Sequence, residues 1–195
     1  MNRKRYSSEE LQNIFNQHEL WLQKKPGGKK AIFNNIDLSN YTDETFQDVK
    51  LERAEFNYCD FSESRFIRTD FNNANLQYNT FRNAYFSSAF LDNANLSYSR
   101  CINTNFNDVM MFDSNLSNCD LQFAHFQHCD LDYSKMFDVN IMNAKFIICH
   151  MDGIELPIEP SCINHKPKKS ETDVCAELYC NYNAQYFIEL MEDNP

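Results

Sequence analysis

Residues 66–100 read FIRTD FNNAN LQYNT FRNAY FSSAF LDNAN LSYSR, and every block of five opens with Phe or Leu. The same period of five runs from Phe46 to Leu156 without an insertion, and its opening positions hold only Phe, Leu, Met, Ile and Cys. Two residues earlier, a second set of positions holds mostly Ala, Ser, Thr, Cys or Val. Apolar residues recur at about 3.6 residues in a helix and at 2 in a strand. A period of five therefore predicts a chain that turns at fixed intervals.

A slower period of twenty residues is superimposed on the period of five. Every twentieth residue from the first is a phenylalanine, which gives the column Phe46, Phe66, Phe86, Phe106, Phe126 and Phe146. Four sides of five residues predict a square coil whose identical positions stack, as in solenoids that bury apolar side chains only between neighbouring units. Rings in this column would lie about 4.8 Å apart, the inter-strand spacing, which suits offset stacking.

Single units of this repeat resemble those of one known family. The units ANLQY (74–78), ANLSY (94–98) and AKFII (144–148) are similar to the A(D/N)LXX unit of pentapeptide-repeat proteins, although Phe is more common than Leu at the central position. The resemblance covers residues 46–156. It implies an all-β solenoid, a right-handed quadrilateral parallel β-helix of about six coils. We expect α-helical caps at both ends, because open solenoid ends expose apolar core and unpaired strand edges.

The N-terminal sequence predicts one of these caps. SSEE at residues 7–10 has the form of a capping box, and apolar residues follow with helical spacing to about Lys25, before PGG at residues 26–28. A partner-binding helix is the alternative interpretation. We expect residues 1–6 to be frayed, and His18 to be a packed histidine and not a catalyst.

The predicted organisation has three parts. Residues 1–30 form the N-terminal capping helix and turn, residues 31–156 form the β-helix, and residues 157–195 form a linker and a C-terminal helix. Apolar positions at the start of the β-helix fit two phases of the repeat, so we expect a short slip near Tyr41–Thr45. The C-terminal helix, over Val174–Met191, is expected either to cap its own last coil or to form a homodimer with a second copy.

Charge is unevenly distributed along the chain. The net charge is +4 over residues 1–30 and −10 over residues 31–156. An acidic body disfavours direct nucleic-acid binding, because phosphates need a basic surface. No apolar run approaches the roughly 20 residues of a membrane helix, and the N-terminus lacks the apolar core of a signal peptide. We expect a cytoplasmic protein. The segment HELWL at residues 18–22 resembles the sequence that precedes the repeats in many bacterial repeat proteins.

Eight cysteines raise the alternatives of a disulfide framework or a metal site. Five of them occupy inward positions, where a reduced thiol acts as a small apolar filler: Cys59, Cys101, Cys119, Cys129 and Cys149. His128-Cys129 and Cys149-His150 lie one coil apart, so these two thiols should stack, but outward imidazoles do not easily converge with inward thiols on zinc. A looser candidate in the tail comprises Cys162, His165, Cys175 and Cys180. We predict no metal and no cofactor.

Because two of every five positions face inward, function must use the outward positions. Residues twenty apart lie together, which predicts a hydrophobic spot on an acidic face formed by Phe90, Asp92, Met110, Phe112 and Asp132. Exposed apolar clusters rimmed by polar groups mark contact surfaces, although outward aromatic residues could merely thicken the β surface. Two other columns are interpreted as structural ladders: Tyr58, Tyr78 and Tyr98, and Asn75, Asn95 and Asn115.

These observations predict a non-enzymatic protein-interaction scaffold with an unknown protein partner. No serine elbow, P-loop, dinucleotide fingerprint or H-E-x-x-H motif occurs. The resemblance implies an alternative, because some members of the family mimic duplex DNA and bind type II topoisomerases. Ten net negative charges on a rod of about 29 Å would give roughly half the charge density of DNA. A metal-binding or enzymatic tail is a third alternative.

Overall fold

The computed structural model describes residues 3–41 and 43–154 and shows a parallel β-solenoid of about six turns. Its elements are β1 (Lys4–Arg5), α1 (Ser8–Leu22), β2 (Ile32–Asn34), β3 (Ile36–Asp37), α2 (Asp43–Phe46), β4 (Glu55–Asn57), β5 (Arg65–Ile67), β6 (Tyr85–Ser87), β7 (Asn105–Asn107), β8 (His125–Gln127) and β9 (Lys145–Ile147). The predicted solenoid is confirmed. The predicted helix over Val174–Met191 lies outside the described residues. Within the described ranges, no helix is both long and apolar enough to cross a bilayer.

One face of the solenoid is a parallel five-stranded sheet in the order β5-β6-β7-β8-β9. Each strand pairs with the next at a separation of twenty residues, so Phe66 lies beside Phe86. Helix α2 contributes the first ring and the five strands contribute the others to the buried column Phe46, Phe66, Phe86, Phe106, Phe126 and Phe146. Successive ring centroids are 4.6 to 4.9 Å apart. Aromatic stacking therefore adds to burial along the core.

Left-handed backbone conformations at every fifth residue let the chain turn. φ is positive at Asp48, at Arg53 and at each fifth residue onward to Ile148 and Gly153. Only glycine adopts this region freely, and Asn and Asp tolerate it best among the others. The amides of most of these residues are used in the ladder between coils, as where the Arg53 N–H donates to the Asn72 carbonyl oxygen at 2.9 Å. These hydrogen bonds help to offset the backbone cost.

The small inward positions also carry hydrogen bonds between coils. Thr104 Oγ1 donates to the carbonyl oxygen of Phe81 at 2.7 Å. Asn79 occupies the same kind of position, and its Nδ2 donates to the carbonyl oxygen of Phe56 at 2.9 Å. Its Oδ1 accepts from the N–H of Cys59 at 2.8 Å. A buried amide is stable here because both ends of it have partners.

Helix α1 covers the first coil. The Ser7 hydroxyl accepts from the Glu10 N–H at 3.1 Å, and the Glu10 carboxylate accepts from the Ser7 N–H at 2.7 Å, which completes the predicted capping box. The buried residues of the helix are Leu11, Phe15 and His18. The Phe15 ring lies 5.7 Å from the Phe46 ring at the start of the phenylalanine column.

The expectation that residues 1–6 are frayed is wrong for residues 3–6. Strand β1 pairs in parallel with β3 and so extends the edge of the first coil. Arg3 reaches the Asp60 carboxylate at 3.0 Å, and the Tyr41 hydroxyl donates to the Tyr6 carbonyl oxygen. This strand could not be predicted, because backbone atoms make its pairing and its polar side chains show no strand pattern.

The repeat slips by three residues where the sequence predicted a slip. Phe33 in β2 pairs with Phe56 in β4 at a separation of 23 residues, while later coils repeat at 20. The positive φ angles likewise jump from Asn40 to Asp48 instead of recurring after five residues. Helix α2 lies within this irregular side and takes up the additional length.

Candidate protein-docking face

One outer side of the solenoid, which we call the acidic face, is rich in carboxylates. It comprises residues 50, 52 and 53 and the residues that follow each at intervals of twenty up to 150, 152 and 153. This surface carries seven carboxylates and two cationic side chains. Its geometry follows from the period, since outward positions twenty residues apart stack on adjacent coils.

An apolar spot lies in the middle of the acidic face. Phe90 and Met110 are joined by a parallel bridge, and the same column continues to Asp70 on one side and to Asp130 on the other. Phe112 lies in the neighbouring column. The exposed fractions of Phe90, Met110 and Phe112 are 37%, 43% and 43%. Large apolar side chains are therefore presented to solvent between carboxylates.

Backbone hydrogen bonds fix the carboxylates beside this spot. Asp92 Oδ1 accepts from the N–H of Phe112 at 3.0 Å, and Asp132 Oδ1 accepts from the N–H of Asp152 at 2.7 Å. Asn72 makes the same contact one coil earlier, where its Oδ1 accepts from the N–H of Asp92 at 2.8 Å. The column thus fixes its acidic groups on set coils, with Phe112 between Asp92 and Asp132.

Tyr133 enlarges the apolar spot, and the sequence analysis missed it. Its ring lies edge-on to the Phe112 ring with centroids 5.4 Å apart. Gly153, on the next coil, leaves room for this ring, because a Cβ at that position would lie 2.6 Å from Tyr133 Cδ1. The signal was available in the sequence: Gly153 is one of three glycines and follows Tyr133 by twenty residues.

The carboxylates of the acidic face perturb one another. Partial burial raises the pKa of Asp92, and the nearby charges of Asp130 and Asp70 raise it further. Burial likewise raises the pKa of Asp70, where Glu52 adds to the effect and Lys50 opposes it. Like charges at short range disfavour ionisation. A cationic group placed here would relieve that repulsion, so the face is suited to a basic partner.

All five residues predicted for the contact surface lie on the acidic face: Phe90, Asp92, Met110, Phe112 and Asp132. Their contact with a partner stays a prediction. Among the other columns, the Tyr58, Tyr78 and Tyr98 rings stack at 5.0 Å intervals and form a ladder.

The metal candidates from the sequence are separated by the structure. The thiols of Cys129 and Cys149 lie in inward positions, whereas His128 is exposed and pairs with Asp108 at 3.4 Å. Over residues 3–41 and 43–154, no group of three or more His, Cys, Asp or Glu side chains could hold a metal ion. The tail candidate, formed by Cys162, His165, Cys175 and Cys180, lies outside the described residues.

A parallel coil with two inward positions in every five and flat outer faces defines a solenoid repeat protein. The chain belongs to the pentapeptide repeat family: the family profile described as pentapeptide repeats matches eight copies over residues 46–77, 80–109 and 111–147. No protein with a curated description matches the sequence significantly.

Several solved structures of pentapeptide repeat proteins are similar to this chain. A protein of the Arabidopsis thaliana thylakoid lumen is 19% identical over 60% of this chain and 67% of its own, with a TM-score of 0.35. Full-length QnrB1, a plasmid-mediated fluoroquinolone resistance protein, is 16% identical over 66% of this chain and 77% of its own, with a TM-score of 0.33. HetL of the cyanobacterium Nostoc, involved in the regulation of heterocyst differentiation, is 10% identical over 74% and 94%, with a TM-score of 0.21.

Proposed function

We propose that this protein is a non-enzymatic scaffold that binds a protein partner on its acidic face. The observation that carries the proposal is the exposed cluster of Phe90, Met110, Phe112 and Tyr133 among carboxylates that the backbone holds in place. Exposed apolar patches with polar rims are typical of protein contacts, and aromatic residues dominate binding energy at interfaces.

The partner that fits this surface is basic around an apolar anchor. The anchor would pack on Phe112 and its neighbours, and cationic groups around it would face Asp92 and Asp130. Opposite charges across an interface raise the association rate and select among partners. We expect binding to weaken as salt rises, since the carboxylates at the edge of the cluster are only partly buried.

We further propose that the protein is cytoplasmic. Free thiols at Cys59, Cys101, Cys119 and Cys129 are buried as packing residues, which supports a reducing compartment.

Photo-crosslinking from the face tests the proposal. A photoreactive phenylalanine analogue replaces Phe112 in one variant and Phe123 in another, and crosslinked proteins are identified after irradiation in cells. Phe123 is a matched control, because it is also an exposed phenylalanine but belongs to a different side of the coil. We expect a partner that is captured only from position 112 and is lost when Asp92 and Asp132 are replaced by Asn. Identical captures from both positions would contradict a specific face.

A DNA-mimicking protein that binds a type II topoisomerase is the second candidate function. It is favoured by the carboxylates stacked on one outer side: Asp132 and Asp152 lie one coil of about 4.8 Å apart, and Asp92 lies two coils before Asp132. The test is supercoiling by purified gyrase with increasing protein. Inhibition that is relieved in the Asp92→Asn, Asp132→Asn variant would support mimicry, and an unchanged rate at micromolar protein would remove this candidate.

A further inference from the structure

Two cysteines meet at one corner of the last described coils. Cys129 and Cys149 are twenty residues apart, and the bridge between Asp130 and His150 fixes their register on adjacent coils. The His150 N–H donates to the Cys129 carbonyl oxygen at 2.9 Å, so the two backbones run side by side at this corner. The coil spacing of about 4.8 Å lies within the Cα separations of roughly 4.4–6.8 Å that disulfides span.

The two thiols differ in access to solvent. Cys129 is fully buried, and its Sγ lies 3.4 Å from the Phe106 carbonyl oxygen. Cys149 is partly exposed, and its Sγ lies 3.5 Å from the Ile147 carbonyl oxygen. The two side chains also interact, and this interaction lowers the pKa of Cys149 and raises that of Cys129, where burial adds to the rise. The outer sulfur is thus the one that an oxidant in solvent can reach.

A second thiol pair in the same molecule provides an internal comparison. Cys101 and Cys119 also contact each other, but both are fully enclosed in the core. Contact with Cys119 and burial raise the pKa of Cys101, and Cys119 Sγ donates to the Leu96 carbonyl oxygen at 3.0 Å. Thiol reactivity depends on access to solvent, and both thiols of this pair are closed off from it.

We propose that Cys129 and Cys149 are an oxidisable dithiol, in which Cys149 reacts with a hydroperoxide and Cys129 resolves the product as a disulfide. The solenoid geometry itself supplies the arrangement, because the period of twenty places a partly exposed thiol directly beside a buried one. Redox-sensitive cysteines generally combine access to solvent with a neighbouring resolving thiol.

The chemistry balances with hydrogen peroxide as the oxidant. The Cys149 thiolate attacks one peroxide oxygen, the O–O bond breaks, and the departing hydroxide takes up the thiol proton as water, leaving a sulfenic acid. The Cys129 sulfur then attacks the Cys149 sulfur, the S–O bond breaks, and the second hydroxide leaves as water with the Cys129 proton. Two thiols lose two electrons, and one peroxide gains them. The new bond joins adjacent coils at the end of the described solenoid.

Peptide mass spectrometry of oxidised full-length protein tests the proposal. To leave only the thiols of the solenoid, the experiment uses a variant with Cys162, Cys175 and Cys180 replaced by Ser. The reduced protein is treated with hydrogen peroxide, remaining thiols are alkylated, and the chain is digested with trypsin. Lys135 and Lys145 separate the two cysteines, so only a disulfide keeps their peptides joined. Residues 101–135 form one tryptic peptide that also holds Cys101 and Cys119, so fragment ions locate the bonded cysteine.

We expect a Cys129–Cys149 linkage that reduction removes, and a loss of free Cys149 at least about tenfold faster than that of Cys101. In Cys129→Ser, sulfenic acid at Cys149 should accumulate and be trapped by dimedone. In Cys149→Ser, Cys129 should stay reduced. Equal oxidation of both thiol pairs, or oxidation of Cys149 to sulfinic acid without any linkage in the chain that keeps Cys129, would overturn the proposal.

Discussion

The body of the solenoid and its N-terminal end are held together in different ways. In the body, one contact recurs on every coil: the Phe71 N–H donates to the Phe90 carbonyl oxygen at 2.7 Å, and Leu91 donates to Met110 at the same distance. At the N-terminal end, by contrast, each contact is made by one particular pair of residues and does not recur with the period of the repeat. The Tyr41 hydroxyl bonded to the Tyr6 carbonyl oxygen has no counterpart on later described coils.

Because of this difference, the repeat sequence specifies the structure of the body more fully than that of the N-terminal end. A repeated contact needs only the correct residue type at each period, and its stability accumulates between neighbouring coils. A single contact depends on particular residues and opens independently of the rest. Trp21, the one tryptophan of the chain, lies in α1 and can report on the end separately from the body.

The largest effect is expected in the body, at Phe106. Its ring is fully buried and stacks on Phe86 at 4.9 Å and on Phe126 at 4.6 Å. Phe106→Ala should lower the free energy of unfolding by about 3–5 kcal/mol, because it removes both contacts and leaves a cavity. Urea unfolding followed by circular dichroism measures the change. Phe106→Leu is the control and should cost less than about 1.5 kcal/mol; equal losses would show that the ring column is not a packed core.

A smaller effect is expected at Asn79, an amide at an inward position that otherwise holds mostly small residues. Asn79→Ala leaves the Phe56 carbonyl oxygen and the Cys59 N–H without their present partner, so it should cost about 1–3 kcal/mol. The same urea titration measures it. Asn105→Ala is the matched control on an outward position and should stay within about 0.5 kcal/mol. If Asn79→Ala and Asn105→Ala lower the free energy of unfolding equally, the hydrogen bonds of the inward Asn79 side chain do not stabilise the fold.

Much of the body could be predicted because its determinants are periodic. The column of six phenylalanines that begins at Phe46 indicated both the period of twenty and the inward side of each coil. Asn79 escaped notice because an amide breaks the pattern of small inward residues, and its role depends on a carbonyl 23 residues earlier. At the docking face, Phe112 followed from outward exposure. Tyr133 required the additional inference that a glycine twenty residues later makes room for a ring.

The N-terminal end was predicted only where its signals are local. The capping box of α1 involves residues three apart, so sequence spacing alone revealed it. Strand β1 depends on backbone pairing with β3 more than thirty residues later, and its side chains carry no matching pattern. The slip was predicted because two phases of apolar residues overlap there, but its length of three residues came from the pairing of β2 with β4.

The end should lose stability on acidification through His18, whereas in the body the raised pKa values of Asp70 and Asp92 act in the opposite direction. Nδ1 of this buried ring accepts from the Ala31 N–H, and Nε2 lies 3.0 Å from the Glu52 carbonyl oxygen, which requires a neutral ring. Burial lowers the pKa of His18 below its ordinary 6.5, although the hydrogen bond to Glu52 opposes this. The folded end therefore binds fewer protons than the open end. Its stability should be complete above about pH 6.5 and fall as the pH drops below that value.

Fluorescence of Trp21 measures this pH response, because its ring stacks on His18 at 5.3 Å. The urea midpoint of the fluorescence signal should decrease on acidification. His18→Gln should make the midpoint insensitive to pH between about 5 and 7, and the exposed His128→Gln should leave the pH response intact. A response that survives His18→Gln would assign the titration to another group.

The smallest effect is expected at the first turn of α1, where Ser7 and Glu10 cap each other. Ser7→Ala should cost about 1 kcal/mol, because it leaves one amide of the helix start without its acceptor. Ser8→Ala removes a similar hydroxyl from the next residue, which is not the cap, and should be neutral within about 0.5 kcal/mol. Trp21 fluorescence in urea should register the loss in Ser7→Ala, while the circular dichroism transition of the coils stays in place. Parallel shifts of both signals would mean that the cap and the coils unfold as one cooperative unit, and the contrast between repeated and single contacts would then concern geometry and not stability.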